Sequence, residues 1–143
     1  MDLEEKCGYY GEKVVLEAQM LGLNTCWVGL TFSKIPDAFT VNKGEKLVGV
    51  ISVDYGTNSG VPHNSKAVEK LCSVQGDMPE WFKRGMDAAM LAPTAMNQQK
   101  FKFMLNGSKV AAKAGGGFFT KVDLGIAKYH FELGAGKENF EWE

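Results

Sequence analysis

A single α+β domain is what this sequence predicts, and three observations carry the prediction. Between Tyr9 and Leu21 the apolar residues Tyr10, Val14, Val15, Ala18 and Leu21 recur at helical spacing, and the pattern stops at Gly22. From Leu47 to Gly56 the chain is β-branched and apolar on both faces, as a central strand is. From Lys100 polar and apolar residues alternate toward Asn106-Gly107, a pair that turns one strand into the next. At 143 residues the chain is long enough for one domain with a real core and too short for two ordinary ones, so residues 1–143 form one domain.

Hydrophobic content of 45% and charged content of 23% are those of a soluble globular protein, not a disordered one. A net charge of −1 offers nothing to nucleic acid through bulk electrostatics. No apolar run approaches the roughly 20 residues that span a bilayer. The acidic opening MDLEEKCGYY lacks the apolar core of a signal peptide, so no membrane association and a cytoplasmic location are expected. Cys7, Cys26 and Cys72 are odd in number, far apart and without a nearby histidine, which argues against a disulfide framework and a zinc site. Each reads as a small, mostly buried thiol in a reducing compartment.

In chain order, Asp2 to Lys6 is a fragment of strand or loop, and the helix follows almost at once. Gly22 supplies the left-handed residue that ends it, with Leu23 placed to pack back on the last turn. Cys26-Trp27-Val28-Gly29 is a short apolar run. Thr31 to Gly44, with Pro36, Asp37, Asn42 and Gly44, is a loop holding one helical turn near Ile35 to Phe39. After the strand ending at Gly56, TNSGVPHNSK is a polar loop that closes on His63 and Lys66. Ser73 to Asp77 is a further loop, and Pro79 opens a helix whose stripe is Trp81, Phe82, Met86, Ala89 and Met90. Pro93 ends that helix and begins Ala92-Pro93-Thr94-Ala95-Met96-Asn97-Gln98-Gln99. Asn106-Gly107 gives a type I′ turn, and Ser108 to Ala112 returns as the hairpin partner. Gly115 to Gly117 is loop, and the last helix opens on Asp123 as N-cap and carries Ile126, Tyr129, His130 and Leu133. The tail Phe140 to Glu143 alternates like an edge strand. A faint echo links Gly11–Gly22 with Gly125–Gly136, the trace two related halves about a pseudo-twofold axis would leave.

The phrase GLNTCWVG, with APTAMNQQ and PHNSK, resembles the nitroreductase family of flavoproteins. The nearer likeness is to the TM nitroreductase-like branch, in which two such halves share one chain with their usual order permuted. The resemblance implies a nitroreductase-like α+β fold with a central, mostly antiparallel sheet flanked by helices. It implies flavin mononucleotide as cofactor and no metal, and it spans Gly8 to the end, the last two thirds of a full member. The family's opening Arg-x-Ser-x-Arg run, which grips the flavin phosphate, has no counterpart here; Arg84 is the only arginine and lies mid-helix. Loss of two charge-assisted phosphate contacts costs on the order of 3 to 6 kcal/mol, about two to four decades of affinity.

The isoalloxazine ring needs small residues for close backbone approach and amides for its polar edge. Pro93, Thr94 and Ala95 make a tight corner, and Asn97 offers a donor and an acceptor side by side. By resemblance this run meets the flavin together with Gln99, and the turn Trp27, Val28, Gly29 and Leu30 brings the Gly29 backbone amide near flavin N5, where a donor stabilises developing charge. Lys66, with His63, is expected near the phosphate. No side chain is expected to act as acid or base, since the chemistry belongs to the flavin.

The expected function is two-electron transfer from NAD(P)H through the flavin to a nitro-aromatic, quinone or similar acceptor. Its rival is a truncated or degenerate member that binds flavin or assembles without catalysis, and a weaker third is a thiol or metal enzyme using Cys26 or Cys72. Uncovered sheet edges and apolar surface would favour a homo-oligomer such as a dimer.

Overall fold

The computed structural model describes residues 1–33, 35 and 38–143. The helical turn expected near Ile35 to Phe39 includes Pro36 and Asp37, which lie outside the described residues. The elements are α1 (Leu3–Met20), β1 (Asn24–Val28), β2 (Val50–Asp54), α2 (Val68–Leu71), β3 (Cys72–Val74), α3 (Glu80–Ala89), β4 (Phe101–Asn106), β5 (Lys109–Ala114), α4 (Thr120–Ala135) and β6 (Glu141–Trp142). Short 3-10 turns lie at Ala95–Asn97 and Lys137–Asn139. The chain divides into two compact units, Met1–Lys13 with Val61–Glu143, and Val14–Gly60.

The first unit is built on a four-stranded sheet of order β3-β4-β5-β6. Its centre is the antiparallel β4–β5 hairpin, paired from Phe101↔Ala114 to Asn106↔Lys109; β3 and β6 add short parallel pairings at the edges. With β1–β2 also antiparallel, most paired residues lie in antiparallel ladders, as the resemblance implied. The alternation read from Lys100 holds: Phe101, Phe103 and Leu105 are buried while Lys102 and Asn106 are exposed. Phe103 stacks on Phe131 of α4 at 4.8 Å between ring centroids, and Phe131 meets Phe82 of α3 edge-on at 5.3 Å.

Several expectations are corrected. Cys72–Val74 is a strand where a loop was expected from Ser73, because three residues are too few to show alternation. The hairpin turns one residue later than Asn106-Gly107 suggests. Asn106 pairs with Lys109, and only Gly107 of the two central residues has positive φ, +62°, a II′ pattern in place of I′.

α1 starts at Leu3, not Tyr9. Asp2 is its cap, its Oδ1 accepting from Glu5 N at 3.0 Å, and Glu4 and Glu5 in the first turn favour the positive end of the helix dipole. The residues this helix buries are Gly8, Glu12, Val15 and Ala18, whereas Tyr10, Val14 and Leu21 of the expected stripe are exposed.

α4 starts at Thr120 after Phe119, so Asp123 lies inside the first turn and does not cap it. Every residue from Val122 to Ala127 is buried, while Leu133, expected on the buried stripe, is exposed. This helix therefore runs through the interior of its unit.

The helices α1 and α4 touch backbone to backbone. A Cβ at Gly8 would overlap the Val122 carbonyl, and one at Gly125 would overlap the Glu5 carbonyl. The two contacts are reciprocal, as a twofold relation between the helices requires, and they make Gly8, not Gly11, the counterpart of Gly125 in the internal echo. Beside the crossing, Lys128 pairs with Glu5, and His130 Nε2 lies 2.8 Å from Glu12 Oε1. Tyr9 donates its hydroxyl to Glu132 Oε2 at 2.6 Å, and burial, reinforced by that carboxylate, holds the Tyr9 phenol above its ordinary pKa.

In the second unit, α1 ends as the sequence predicts. Leu23 N donates to Ala18 O and Gly22 N to Gln19 O, both at 3.0 Å, with Gly22 at φ +79°. β1 and β2 form a two-stranded antiparallel sheet from Asn24↔Asp54 to Val28↔Val50. The central strand expected over Leu47–Gly56 is thus a member of a ribbon, and Ser52, Val53 and Asp54 are exposed. An apolar run marks preference for a sheet but not how many neighbours the sheet supplies.

Candidate functional site

The end of α3 and the start of β4 are joined by a corner that the rest of the first unit braces. Pro93 follows the helix, Thr94 is extended at φ −104°, and a single 3-10 turn spans Ala95–Asn97. Met96 at φ +52°, Asn97 at +51° and Gln99 at +45° occupy the left-handed region, and Phe119 at +59° does so just before α4. These are all the non-glycine residues of positive φ among those described. Each such conformation costs on the order of 1 to 3 kcal/mol, so side-chain hydrogen bonds must hold it.

Those bonds come from residues far away in sequence. Lys66 N donates to Gln99 Oε1 at 2.8 Å, and Lys66 Nζ donates to Gln98 O at 2.6 Å and Gln99 O at 3.4 Å. Gln99 Nε2 donates to Asn64 O at 2.9 Å and Asn97 Oδ1 at 2.8 Å, and Asn97 Nδ2 donates to Asn64 O at 2.9 Å. Thr94 Oγ1 accepts from Gln99 N at 3.0 Å. Ser65 Oγ donates to Met90 O at 2.9 Å and lies 3.0 Å from His63 Nδ1. From α4, Asp123 Oδ1 accepts from Ala95 N at 2.9 Å and Asp123 Oδ2 from Gln98 Nε2 at 2.7 Å. Burial raises the Asp123 pKa, and the hydrogen bonds from Ala95 and Gln98 work against that rise.

The structure therefore brings together His63, Lys66, Pro93, Thr94, Ala95, Asn97 and Gln99, all expected at the site. It divides them by role. Gln99 is buried, and its amide is spent on Lys66 N, Asn64 O and Asn97 Oδ1, so it braces the corner. Asn97 is exposed and keeps one N–H and one lone pair beyond its bonds to Asn64 and Gln99. Asn64, Ser65, Gln98 and Asp123 were not singled out by the sequence. Asp123 was misread as a helix cap, the ordinary place for an aspartate at a helix start.

Trp27, Val28, Gly29 and Leu30 lie in the second unit, where β1 ends at Val28. Trp27, Val28 and Gly29 are half-buried, and Leu30 is exposed. A Cβ at Gly49 would sit 3.1 Å from Val28 O, so the glycine permits the close approach of the next segment to this turn.

A sequence model of the family described as "Putative TM nitroreductase" matches residues 1–135. The chain belongs to this nitroreductase family. Among solved structures it is similar to a crystal structure described as a "putative nitroreductase" from Thermotoga maritima, with a TM-score of 0.71 and 25% identity over 92% of this chain. The chain spans 54% of the length of that relative. No curated protein sequence matches it. The nitroreductase-like α+β fold expected from GLNTCWVG, APTAMNQQ and PHNSK is the fold observed.

The braced corner fits the cofactor the family implies. An isoalloxazine edge alternates carbonyl acceptors with an N–H donor, and Asn97 retains one group of each kind beside the small residues Thr94 and Ala95. Among the described residues no group of three or more His, Cys, Asp or Glu could hold a metal ion. No helix of the described chain is long and apolar enough to cross a membrane.

Proposed function

We propose that this chain is a cytoplasmic FMN-dependent oxidoreductase that uses NAD(P)H to reduce a nitro-aromatic, quinone or similar acceptor. When bound, the flavin would supply the two-electron chemistry, taking hydride from the nicotinamide and delivering it to the acceptor. The observation that carries this reading is the Thr94–Gln99 corner, whose left-handed residues are held by hydrogen bonds from Asn64, Lys66 and Asp123. Such strain, kept in one place by dedicated polar partners, is what a preorganised binding site requires.

In this reading Asn97 and the Pro93–Ala95 backbone receive the pyrimidine edge. The Trp27–Leu30 turn supplies the Gly29 amide toward N5. Lys66 directs its remaining N–H toward the phosphate with His63 beside it, two of its three protons facing Gln98 O and Gln99 O. Titration of purified protein with flavin mononucleotide, followed by NADH and NADPH oxidation with a quinone, tests the assignment. A yellow, saturable complex with acceptor-dependent turnover is expected; a protein that quenches no flavin fluorescence and oxidises neither nucleotide refutes it.

One observation favours the non-catalytic alternative, a flavin-binding or assembly module. Arg84, the only arginine, is exposed on α3, and the Lys66 ammonium already serves two carbonyls, so phosphate recognition has little charge in reserve. Colourless protein that takes up little or no added flavin mononucleotide and oxidises neither nucleotide is its signature. We also propose a homo-oligomer, supported by Leu3, Tyr10 and Val14, which stand exposed along α1 at coiled-coil spacing. A strict monomer in sedimentation at high concentration removes that proposal.

A further inference from the structure

We propose that Asp123 is a positioning residue for the site: from the first turn of α4 it fixes the backbone of the Thr94–Gln99 corner and thereby the surface a planar ring would meet. The inference rests on the functional reading for the ring, but not for the corner itself.

Four features converge on this carboxylate. It is 2% exposed, and a carboxylate so buried needs a purpose to offset its desolvation. Oδ1 takes the Ala95 N–H, the first donor of the 3-10 turn, and Oδ2 takes Gln98 Nε2, so one side chain grips both ends of the turn. Gln98 Nε2 also donates to Phe118 O at 3.1 Å, next to left-handed Phe119, so the same pair links the two strained segments of the chain. Lastly, α4 is the interior helix that also carries Gly125 against α1, so the carboxylate stands on a rigid support. Its own helix gains no cap from it, since Phe119 holds that position without a side-chain bond.

Alanine and asparagine separate the roles. Asp123→Ala leaves Ala95 N–H and Gln98 Nε2 without their acceptor. Asp123→Asn keeps an oxygen for Ala95 but presents an N–H to Gln98, which must turn its amide and give up Phe118 O to answer it. Amide hydrogen exchange of the full chain, followed residue by residue, reads the corner directly, and flavin mononucleotide titration reads its consequence. In Asp123→Ala, Ala95 exchange should rise at least about tenfold while the amides of β4 and β5 keep their protection, and flavin affinity should fall at least about tenfold, a change of about 1.4 kcal/mol. Asp123→Asn should restore most of both.

Unchanged Ala95 exchange in Asp123→Ala overturns the proposal, as does asparagine that rescues neither reading. Should Asp123→Ala not fold, Asp123→Ser, whose shorter side chain withdraws the acceptor from Ala95 N–H, decides it by the same two readings. Unchanged Ala95 protection in that variant then overturns the positioning role. If no variant, wild type included, takes up flavin while Ala95 exchange still answers to Asp123, the redox assignment falls and the positioning role stands.

Discussion

The two glycine- and amide-rich corners read from the sequence are built in different ways. The Thr94–Gln99 corner joins a helix to a central strand of a four-stranded sheet and is cross-laced by the Asn64 carbonyl, the Lys66 main-chain amide and ammonium, and the Asp123 carboxylate. The Trp27–Leu30 turn closes a ribbon of two strands whose side-chain bonds, such as Asn24 Oδ1 to Gly56 N at 2.8 Å, lie at the surface. The first holds an improbable backbone shape against its own strain. The second has no residue of positive φ and sits on a strand that is half-buried at most, so it is the corner expected to open locally.

The largest contrast should come from the support under each. Phe131→Ala, which removes the ring stacked on Phe103, is expected to cost about 3 to 5 kcal/mol in denaturant unfolding. Ile51→Ala in the half-buried ribbon is expected to cost about 1 kcal/mol. Equal costs would break the comparison. Next comes the lacing. Gln99→Ala removes a buried amide that serves Lys66 N, Asn64 O and Asn97 Oδ1 and should cost about 1 to 3 kcal/mol, whereas Asn24→Ala, whose partners Gly56 and Asn58 are exposed, should cost under about 1 kcal/mol by the same measurement.

A smaller effect has a sign that depends on pH. Burial raises the Asp123 pKa, so the folded chain holds that proton more tightly than the unfolded one does. The group's contribution to stability is present below the unfolded carboxylate pKa and is lost as pH rises through the raised value. Thermal unfolding of Asp123→Asn should therefore show a variant at least as stable as wild type at neutral pH, with the advantage closing in acid. A variant that loses stability only at neutral pH would show that the two hydrogen bonds outweigh burial. The smallest test uses thiols. Cys26 in the ribbon is exposed and should be alkylated at once in the native state. Cys72, buried in β3 with burial holding its thiol pKa up, should react only as the chain opens.

What the sequence made legible followed the range of the interactions. The Gly22 stop, the alternation of β4 and the tight helix-to-strand corner after Pro93 are local patterns and were read correctly. The start of α1 was also written locally, in Asp2 with Glu4 and Glu5, yet the absence of apolar spacing there hid it. Asp123 was not legible because its partners Ala95 and Gln98 lie on another element, and an aspartate at a helix start has a commoner explanation. The same holds for Lys66: its basic loop pointed to a site, but nothing in PHNSK says that the ammonium rests on Gln98 O. The exposed Tyr10, Val14 and Leu21 show the converse, since apolar spacing on α1 named a face without naming what meets it.

Glu132 receives Tyr9 on one oxygen and Trp142 Nε1, at 2.7 Å, on the other. A residue near the first position and one near the last are thus moored to a single functional group. Loss of that one carboxylate would release the first helix and the last strand together.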